Sequence, residues 1–237
     1  MLKKILLIYL VLFISNIQSQ LRIEIKGGAE DPISIAIVPL EWNLDSPQEE
    51  YLHQIIKSDL ESFGEFKVLP PENMLSFPSS KEEVFFKDWR MLGVDYLVIG
   101  RINVSDFSEE IITKYTIFDV AREKSIHRGS VIGPLKTLRK IGHKVSDKIY
   151  SRIQGIPGIF STKIAYIDKP STDDPNFNLR ISDIDGYDSL SIFSSPQPLM
   201  SPSWSPDRQN IAMFHLKKVP QEYFFNSLIP LNGKVLS

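Results

Sequence analysis

Apolar residues recur at helical spacing between residues 135 and 155 and mark the element around which the chain is organised. The residues on this face are Leu135, Leu138, Ile141, Val145, Ile149 and Ile153. Steps of three and four predict an amphipathic helix. Gly155 is typical of a left-handed helix cap, and Pro157 prevents the helix from continuing. Because helical and strand patterns mix before this helix and helical periodicity is missing after it, we place a domain boundary here.

Alternating and wholly apolar runs predict the strands that precede this helix. Residues 21–26 (LRIEIK) alternate apolar and charged side chains, which is typical of a strand with one face in water. Residues 33–40 (ISIAIVPL) are almost wholly apolar and β-branched, which indicates a central strand. Further strands are expected at 66–69, 95–104, 111–120 and 125–132.

Two capping signals predict the other helices of this region. Residues 46–49 (SPQE) combine a capping Ser, a Pro suited to the first helical position and a Glu, ahead of a helix that stops at Gly64. Ser80 and Glu83 repeat the signal ahead of a helix that stops at Gly93. Three helices on a mixed sheet predict an α+β domain over residues 20–155.

The first nineteen residues have the layout of a secretory signal peptide. Lys3 and Lys4 precede an apolar run at residues 5–14, and Ser19 supplies a small residue before a cleavage point. This run is about half of the ~20 residues that a membrane-spanning helix needs. We therefore expect residues 1–19 to be removed on export and the mature chain to be soluble, with an uncleaved anchor as the alternative. The chain has no cysteine, which fits an oxidising compartment without requiring one.

Beyond a short hinge at residues 156–161, the sequence repeats with a shift of 47 positions. The coinciding landmarks are Ile164-Ala165 with Ile211-Ala212, Phe177 with Phe224, and residues 184–186 with 231–233. A Trp-Ser-Pro-Asp loop at 204–207 stands directly before the second copy. This period suits a propeller blade of four short strands. Residues 162–237 are therefore expected to hold the first one and a half blades of an incomplete, truncated β-propeller, since a ring needs more neighbours to close.

Composition and motifs argue against several functions. The net charge is −2 with acidic and basic residues interspersed, so no basic stripe favours nucleic-acid binding. The sequence has no G-x-S-x-G elbow, no P-loop and no Gly-rich dinucleotide fingerprint. The four histidines, His53, His127, His143 and His215, have no metal-ligand spacing and are predicted to have surface or capping roles. We predict no catalytic residue, no cofactor and no metal site.

Three further patterns have structural interpretations. His143 and Asp147 are four residues apart, which predicts a pair on the surface of a helix. The aspartates around Gly186 (183, 185 and 188) lack the spacing of an EF-hand and are interpreted as a strand-ending turn. Trp42 is expected in a loop, whereas Trp89 and Trp204 are expected in packing positions.

Several segments together resemble the TolB family, the periplasmic component of the Tol-Pal envelope system. They are LRIEI, ISIAIVPL, DYLVIGRI, LRKIGHKVSDKIYSRIQGIPGIFSTKIAYI, LRISDIDG and PLMSPSWSPD, in the order found in that family. The segment around His143, Ser146, Asp147 and Tyr150 is the most specific. The sequence departs from the family at Arg208, where Gly is usual after Trp-Ser-Pro-Asp, so a different turn type is expected there.

The resemblance implies a non-enzymatic periplasmic adaptor that contributes to outer-membrane integrity and cell division. It implies that the N-terminal segment, here Leu21, Arg22, Ile23 and Glu24, contacts the inner-membrane protein TolA. An exposed strand edge is competent to pair with another chain, which gives this contact a mechanism. The resemblance also implies that the propeller holds the outer-membrane lipoprotein Pal and is exploited by colicins. With most of the propeller missing from this sequence, the N-terminal contact is the one expected to be retained.

Two other hypotheses remain open at this stage. Peptidases of the prolyl-oligopeptidase type also carry Trp-Ser-Pro-Asp blades, so the chain is alternatively a fragment of such a serine peptidase. A truncated relic is the third possibility, in which residues 21–155 stay folded while the chain from about 162 onward is sensitive to proteases.

Overall fold

A computed structural model describes residues 31–48, 50–105, 110–169, 171, 175–215 and 225–231, with only the backbone described at 225–228. The predicted signal peptide at 1–19 and the predicted strand at 21–26 lie outside the described residues. Within the described part of the chain, no helix has both the length and the hydrophobicity that a membrane span requires.

The first domain is built on a mixed six-stranded sheet. Its strands are β1 (Ile33–Ile37), β2 (Glu41–Asn43), β3 (Phe66–Leu69), β4 (Tyr96–Val104), β5 (Glu110–Asp119) and β6 (Lys124–Pro134). The order is β3-β1-β4-β5-β6, and β2 also pairs with β4. Strands β3, β1, β2 and β4 pair in parallel, whereas β4, β5 and β6 form an antiparallel meander. The prediction of a mixed sheet is confirmed.

In the part of this domain that the structure describes, three helices cover both faces of the sheet. They are α1 (Leu52–Glu61), α2 (Phe86–Met91) and α3 (Leu138–Gln154), the last preceded by a single 3₁₀ turn, Leu135–Thr137. The apolar sides of α1 and α3 pack on one face, in a cluster that includes Ile56 and Val145. Trp89 of α2 is buried against the other face with Leu97 and Phe118, as expected of a core residue. The result is a helix–sheet–helix sandwich with an apolar cluster on each face of the sheet.

The first capping prediction is wrong about where the helix begins. Helix α1 starts at Leu52, and its cap residue, Tyr51, makes no side-chain capping bond. Trp42, predicted to lie in a loop, belongs to β2 and donates its indole N–H to the carbonyl of Ser46. Pairing of β2 with β4 therefore draws the chain along the sheet before the helix can start, and this tertiary contact outweighs the local capping signal.

The second capping signal is real but opens a shorter element than predicted. The Glu83 carboxylate accepts hydrogen bonds from the amides of Ser79 and Ser80. The turn so capped is the 3₁₀ helix Lys81–Glu83, and α2 begins only at Phe86.

The second region consists of two antiparallel three-stranded sheets. The first contains β7 (Lys163–Asp168), β8 (Phe177–Asp183) and β9 (Leu190–Ser195), and the second contains β10 (Leu199–Trp204), β11 (Asn210–His215) and β12 (Phe225–Pro230). A cluster that includes Leu179, Ile181, Ile211 and Met213 joins the two sheets, with Trp204 packed against it. An incomplete β-propeller following the α+β domain is therefore confirmed.

The strands follow the 47-residue repeat, but the boundary between the two repeats does not coincide with the boundary between the two sheets. Shifting β7 by 47 positions places it on β11, from residue 210 to residue 215. Strand β10, the fourth of the first repeat, pairs with β11 and so belongs to the second sheet. The landmarks Phe224 and 232–233 lie outside the described residues.

Candidate functional site: the junction between the two domains

The segment between the domains packs against the first domain. Helix α3 ends at Gly155, which has a φ of 77°, in the left-handed region where a glycine cap is favoured. Five residues later, Phe160 is only 1% exposed and belongs to the core of the first domain. Its ring lies against Phe63 and Tyr150. This buried aromatic side chain anchors the predicted hinge.

Asp147 fixes the backbone of the same anchor. One carboxylate oxygen accepts the amide N–H of Phe160 at 2.6 Å, and the other accepts the amide of Ser161 at 3.2 Å and also its hydroxyl. A β-carbon on Gly158 would lie 2.5 Å from the Cα of Asp147, so the chain passes the helix too closely for a side chain. The predicted surface pair between Asp147 and His143 is therefore wrong, because Asp147 is engaged by the hinge.

His143 points the other way, into the interface between α1 and α3. Its side chain is 2% exposed, and its Nδ1 lies 2.9 Å from a carboxylate oxygen of Asp59, which is equally buried. Burial alone would lower the pKa of His143. The hydrogen bond and the charge of Asp59, helped by the charges of Asp185 and Asp183, outweigh burial and raise the pKa above 6.5. A buried carboxylate and a histidine with raised pKa form an ion pair when the ring is protonated.

The first propeller sheet reaches this pair through a turn. Asp185 lies in the turn after β8, and its Oδ2 is 3.7 Å from Nε2 of His143. The same carboxylate pairs with Arg139, whose guanidinium stacks 4.1 Å from the centre of the Tyr187 ring. Arg139 also lies 3.6 Å from Glu50. Side chains of α3 therefore connect the first domain to one turn of the propeller.

The turn itself is held by backbone contacts, as the strand-ending interpretation predicted. Asp183 donates its amide to the carbonyl of Tyr187, and Asp185 accepts the amide of Tyr187 at 3.0 Å. Burial would raise the pKa of Asp185. The Tyr187 amide, together with the charges of Arg139 and His143, lowers it instead. Asp183 pairs with Lys163 at 2.8 Å. Among the described residues, no three His, Asp or Glu side chains are grouped as a metal site.

The other histidines occupy structural positions. His53 is 8% exposed rather than on the surface, because it lies on the packed side of α1. Burial and the charges of Arg152 and Lys148 lower the pKa of His127. His215 contacts the hydroxyl of Ser195 at 2.8 Å, which links β11 of the second sheet to β9 of the first.

The predicted partner-binding residues Leu21, Arg22, Ile23 and Glu24 lie outside the described residues. The sequence analysis missed the roles of Asp59 and Phe160 at this junction. Phe160 had a signal, since it is an aromatic residue two positions after the Pro157-Gly158 pair. Asp59 had none, because it lies 84 positions from His143.

The fold and the junction define a class of protein: an α+β domain joined by an anchored hinge to the strands of a β-propeller. Comparison with known families assigns both parts. The profile described as the TolB amino-terminal domain matches residues 21–126, and the profile described as the TolB beta propeller domain matches residues 150–229. The chain belongs to the TolB family.

Individual relatives agree with this assignment. The Tol-Pal system protein TolB of Alcanivorax borkumensis is 36% identical over 201 residues, which are 85% of this chain and 46% of that protein. The protein of the same name from Pseudomonas aeruginosa is 34% identical over 211 residues, or 88% of this chain and 48% of that protein. The crystal structure of TolB from Acinetobacter baumannii superposes with a TM-score of 0.68 at 32% identity, covering 82% of this chain and 47% of that one. The chain spans about half the length of the relatives it matches.

Proposed function

We propose that this chain is a non-enzymatic adaptor of the Tol-Pal system that works in the periplasm by binding other envelope proteins. The observation that carries the proposal is the match to both TolB domains, in the family's order and with the hinge between them anchored. Its relatives bear the name Tol-Pal system protein TolB. In this role the chain supports outer-membrane integrity and cell division.

The proposed contact with TolA is made by Leu21, Arg22, Ile23 and Glu24. The alternating pattern of LRIEIK suits a strand that pairs its main chain with a partner, and alternate side chains then select that partner. This proposal rests on the sequence pattern and on the family assignment.

The proposed contact with Pal is made by the propeller region. The sheets β7–β9 and β10–β12 supply two neighbouring blade surfaces with a shared apolar core.

Calorimetry of the chain from residue 20 onward with TolA from the same genome tests the N-terminal contact. Deleting residues 21–26 is expected to weaken binding by at least about tenfold, the effect of losing a central interface segment. Ile132→Ala is the matched control, since Ile132 is an exposed apolar strand residue of β6. Unchanged affinity after the deletion would contradict the TolA contact.

A separate experiment tests the absence of catalysis. Ser195 and His215 form the serine–histidine contact that a hydrolase would need, and within the described residues no carboxylate contacts the other ring nitrogen of His215. A fluorophosphonate probe is expected to leave the chain unlabelled. Labelling of Ser195 would instead support the peptidase hypothesis.

A further inference from the structure

His143 stands between carboxylates that belong to different domains. Asp59 of α1 contacts Nδ1 at 2.9 Å, and Asp185 of the propeller turn lies 3.7 Å from Nε2. Nε2 is buried and has no hydrogen-bond partner among the described residues. The ring is therefore a point where the two domains meet through a side chain that can gain or lose a proton.

The protonation state of the ring decides whether both contacts are favourable. A neutral imidazole has one N–H and one lone pair. If the N–H faces Asp59, the lone pair on Nε2 faces the carboxylate of Asp185. A protonated ring instead presents an N–H and positive charge to both carboxylates.

The other charged groups around the ring determine how much attraction between the two domains remains after His143 loses its proton. From the propeller, Asp183 also acts on His143, but its charge is shared with Lys163. From α3, the guanidinium of Arg139 contacts the carboxylate of Asp185. Arg139 therefore gives the junction a constant attraction, and His143 adds the part that depends on pH.

We propose that His143 is a proton-operated latch between the two domains. The protonated ring holds the Asp185 turn against α1 and α3. Loss of the proton removes this attraction and increases the fraction of molecules with the turn released, while Phe160, buried and held by Asp147, remains in place as the pivot.

The direction of the effect follows from the pKa of His143. The released state keeps Asp59 but loses Asp185, so the pKa of His143 is higher in the closed state than in the released one. The closed state is favoured at pH values below the pKa that His143 has in the released state. The released fraction increases as the pH rises from that pKa through the higher pKa of the closed state. For one partly exposed charge contact, the expected increase in the open-to-closed ratio is about 1.5- to fivefold. The lowered pKa of Asp185 keeps that carboxylate charged throughout this range.

Distance measurements on the whole chain test the latch. The sequence has no cysteine, so Gln54→Cys and Ser191→Cys, both at exposed positions, place one spin label on each domain. Double electron–electron resonance at pH 6 and pH 8 is expected to show a larger long-distance population at pH 8. Asp185→Asn is expected to abolish this difference, whereas Asp188→Asn, an exposed aspartate in the same turn, is expected to preserve it.

Two further measurements test the role of His143 directly, independently of the distances measured in the Asp185 variant. His143→Gln, which retains a hydrogen-bonding side chain for Asp59, is expected to make the distances independent of pH. By NMR titration, Asp185→Asn is expected to lower the pKa of His143, and Asp188→Asn to leave it within the wild-type range. A wild-type distribution that is the same at pH 6 and pH 8 would overturn the proposal, as would an unchanged pH response in Asp185→Asn.

Discussion

At the scale of single residues, the buried pair of Asp59 and His143 places two titratable side chains within the interface between α1 and α3. Both side chains are almost fully removed from water. A charge in such a place needs its partner, since removing one member of a buried pair leaves the other without compensation. The two helices are thus held by a polar contact within an otherwise apolar interface.

Asp59→Asn is expected to lower the free energy of unfolding at pH 6 by about 2–4 kcal/mol, because protonated His143 loses its buried counter-charge. The folded-state pKa of His143 is raised, so its stabilisation is fully present below the unfolded value of about 6.5 and is lost as pH rises through the folded value. Wild-type stability should therefore fall between pH 6 and pH 8, and the variant should show a flatter profile. Urea unfolding at both pH values measures this, with Glu82→Gln at an exposed position as the control.

Arg208 shows how one departure from the family is accommodated. Its φ is 59°, in the left-handed region, so the backbone keeps the conformation that glycine favours. A change in backbone at this turn was expected from the sequence, but the structure has the arginine adopting the strained conformation instead.

Arg208→Gly is expected to stabilise the second sheet by about 0.5–1 kcal/mol, because glycine relieves left-handed strain but gains entropy in the unfolded chain. Thermal unfolding of the whole chain measures the effect. Gln209→Gly introduces glycine at the next position, where the backbone is not in the left-handed region. This variant should lower the stability of the second sheet. Equal effects from both variants would argue against backbone strain at residue 208.

At the scale of elements, hydrophobic period predicted most of the fold. Strands β3 and β4 and helix α3 lie where alternation or helical spacing predicted them. Their apolar residues pack into the core of the first domain, so the local pattern and the tertiary structure agree. The start of α1 was mispredicted, since pairing of β2 with β4 is a contact across about sixty positions that no local signal reports. The same reason hid Asp59 as the partner of His143.

The close passage of the hinge over α3 gives a prediction for this element. Gly158→Ala is expected to destabilise the anchor by about 1–3 kcal/mol, because its β-carbon would meet the backbone of α3. Hydrogen exchange of the Phe160 and Ser161 amides, which Asp147 accepts, should become faster. Ile156→Ala, at an exposed hinge position, is the control and should leave their protection unchanged.

At the scale of the whole molecule, the anchor and the Asp185 turn couple two bodies of different architecture. The sequence analysis treated the segment between them as a simple hinge. Its attachment depends on Asp147, a residue thirteen positions before Phe160 on a helix that was assigned to one domain alone. The segment is therefore a packed and hydrogen-bonded part of the first domain.

Asp147→Ala is expected to uncouple the two parts, since three hydrogen bonds to the hinge are lost together. Differential scanning calorimetry should show the propeller strands unfolding separately, with a midpoint lowered by about 4–8 °C for each kcal/mol of lost coupling. Lys148→Ala, the exposed neighbour on the same helix, should retain the wild-type profile. A profile for Asp147→Ala that matches wild type would show that the apolar anchor alone is sufficient.

The mismatch between the 47-residue period and the sheets has a practical consequence for protein engineering. Because β10 is coded within one repeat but hydrogen-bonds to strands of the next, cutting a gene at the repeat boundary near residue 209 would separate β10 from β11. A cassette that begins after Ser195 would instead carry a whole sheet. Modules intended for grafting, shuffling or duplication should therefore be bounded in the short segment between β9 and β10.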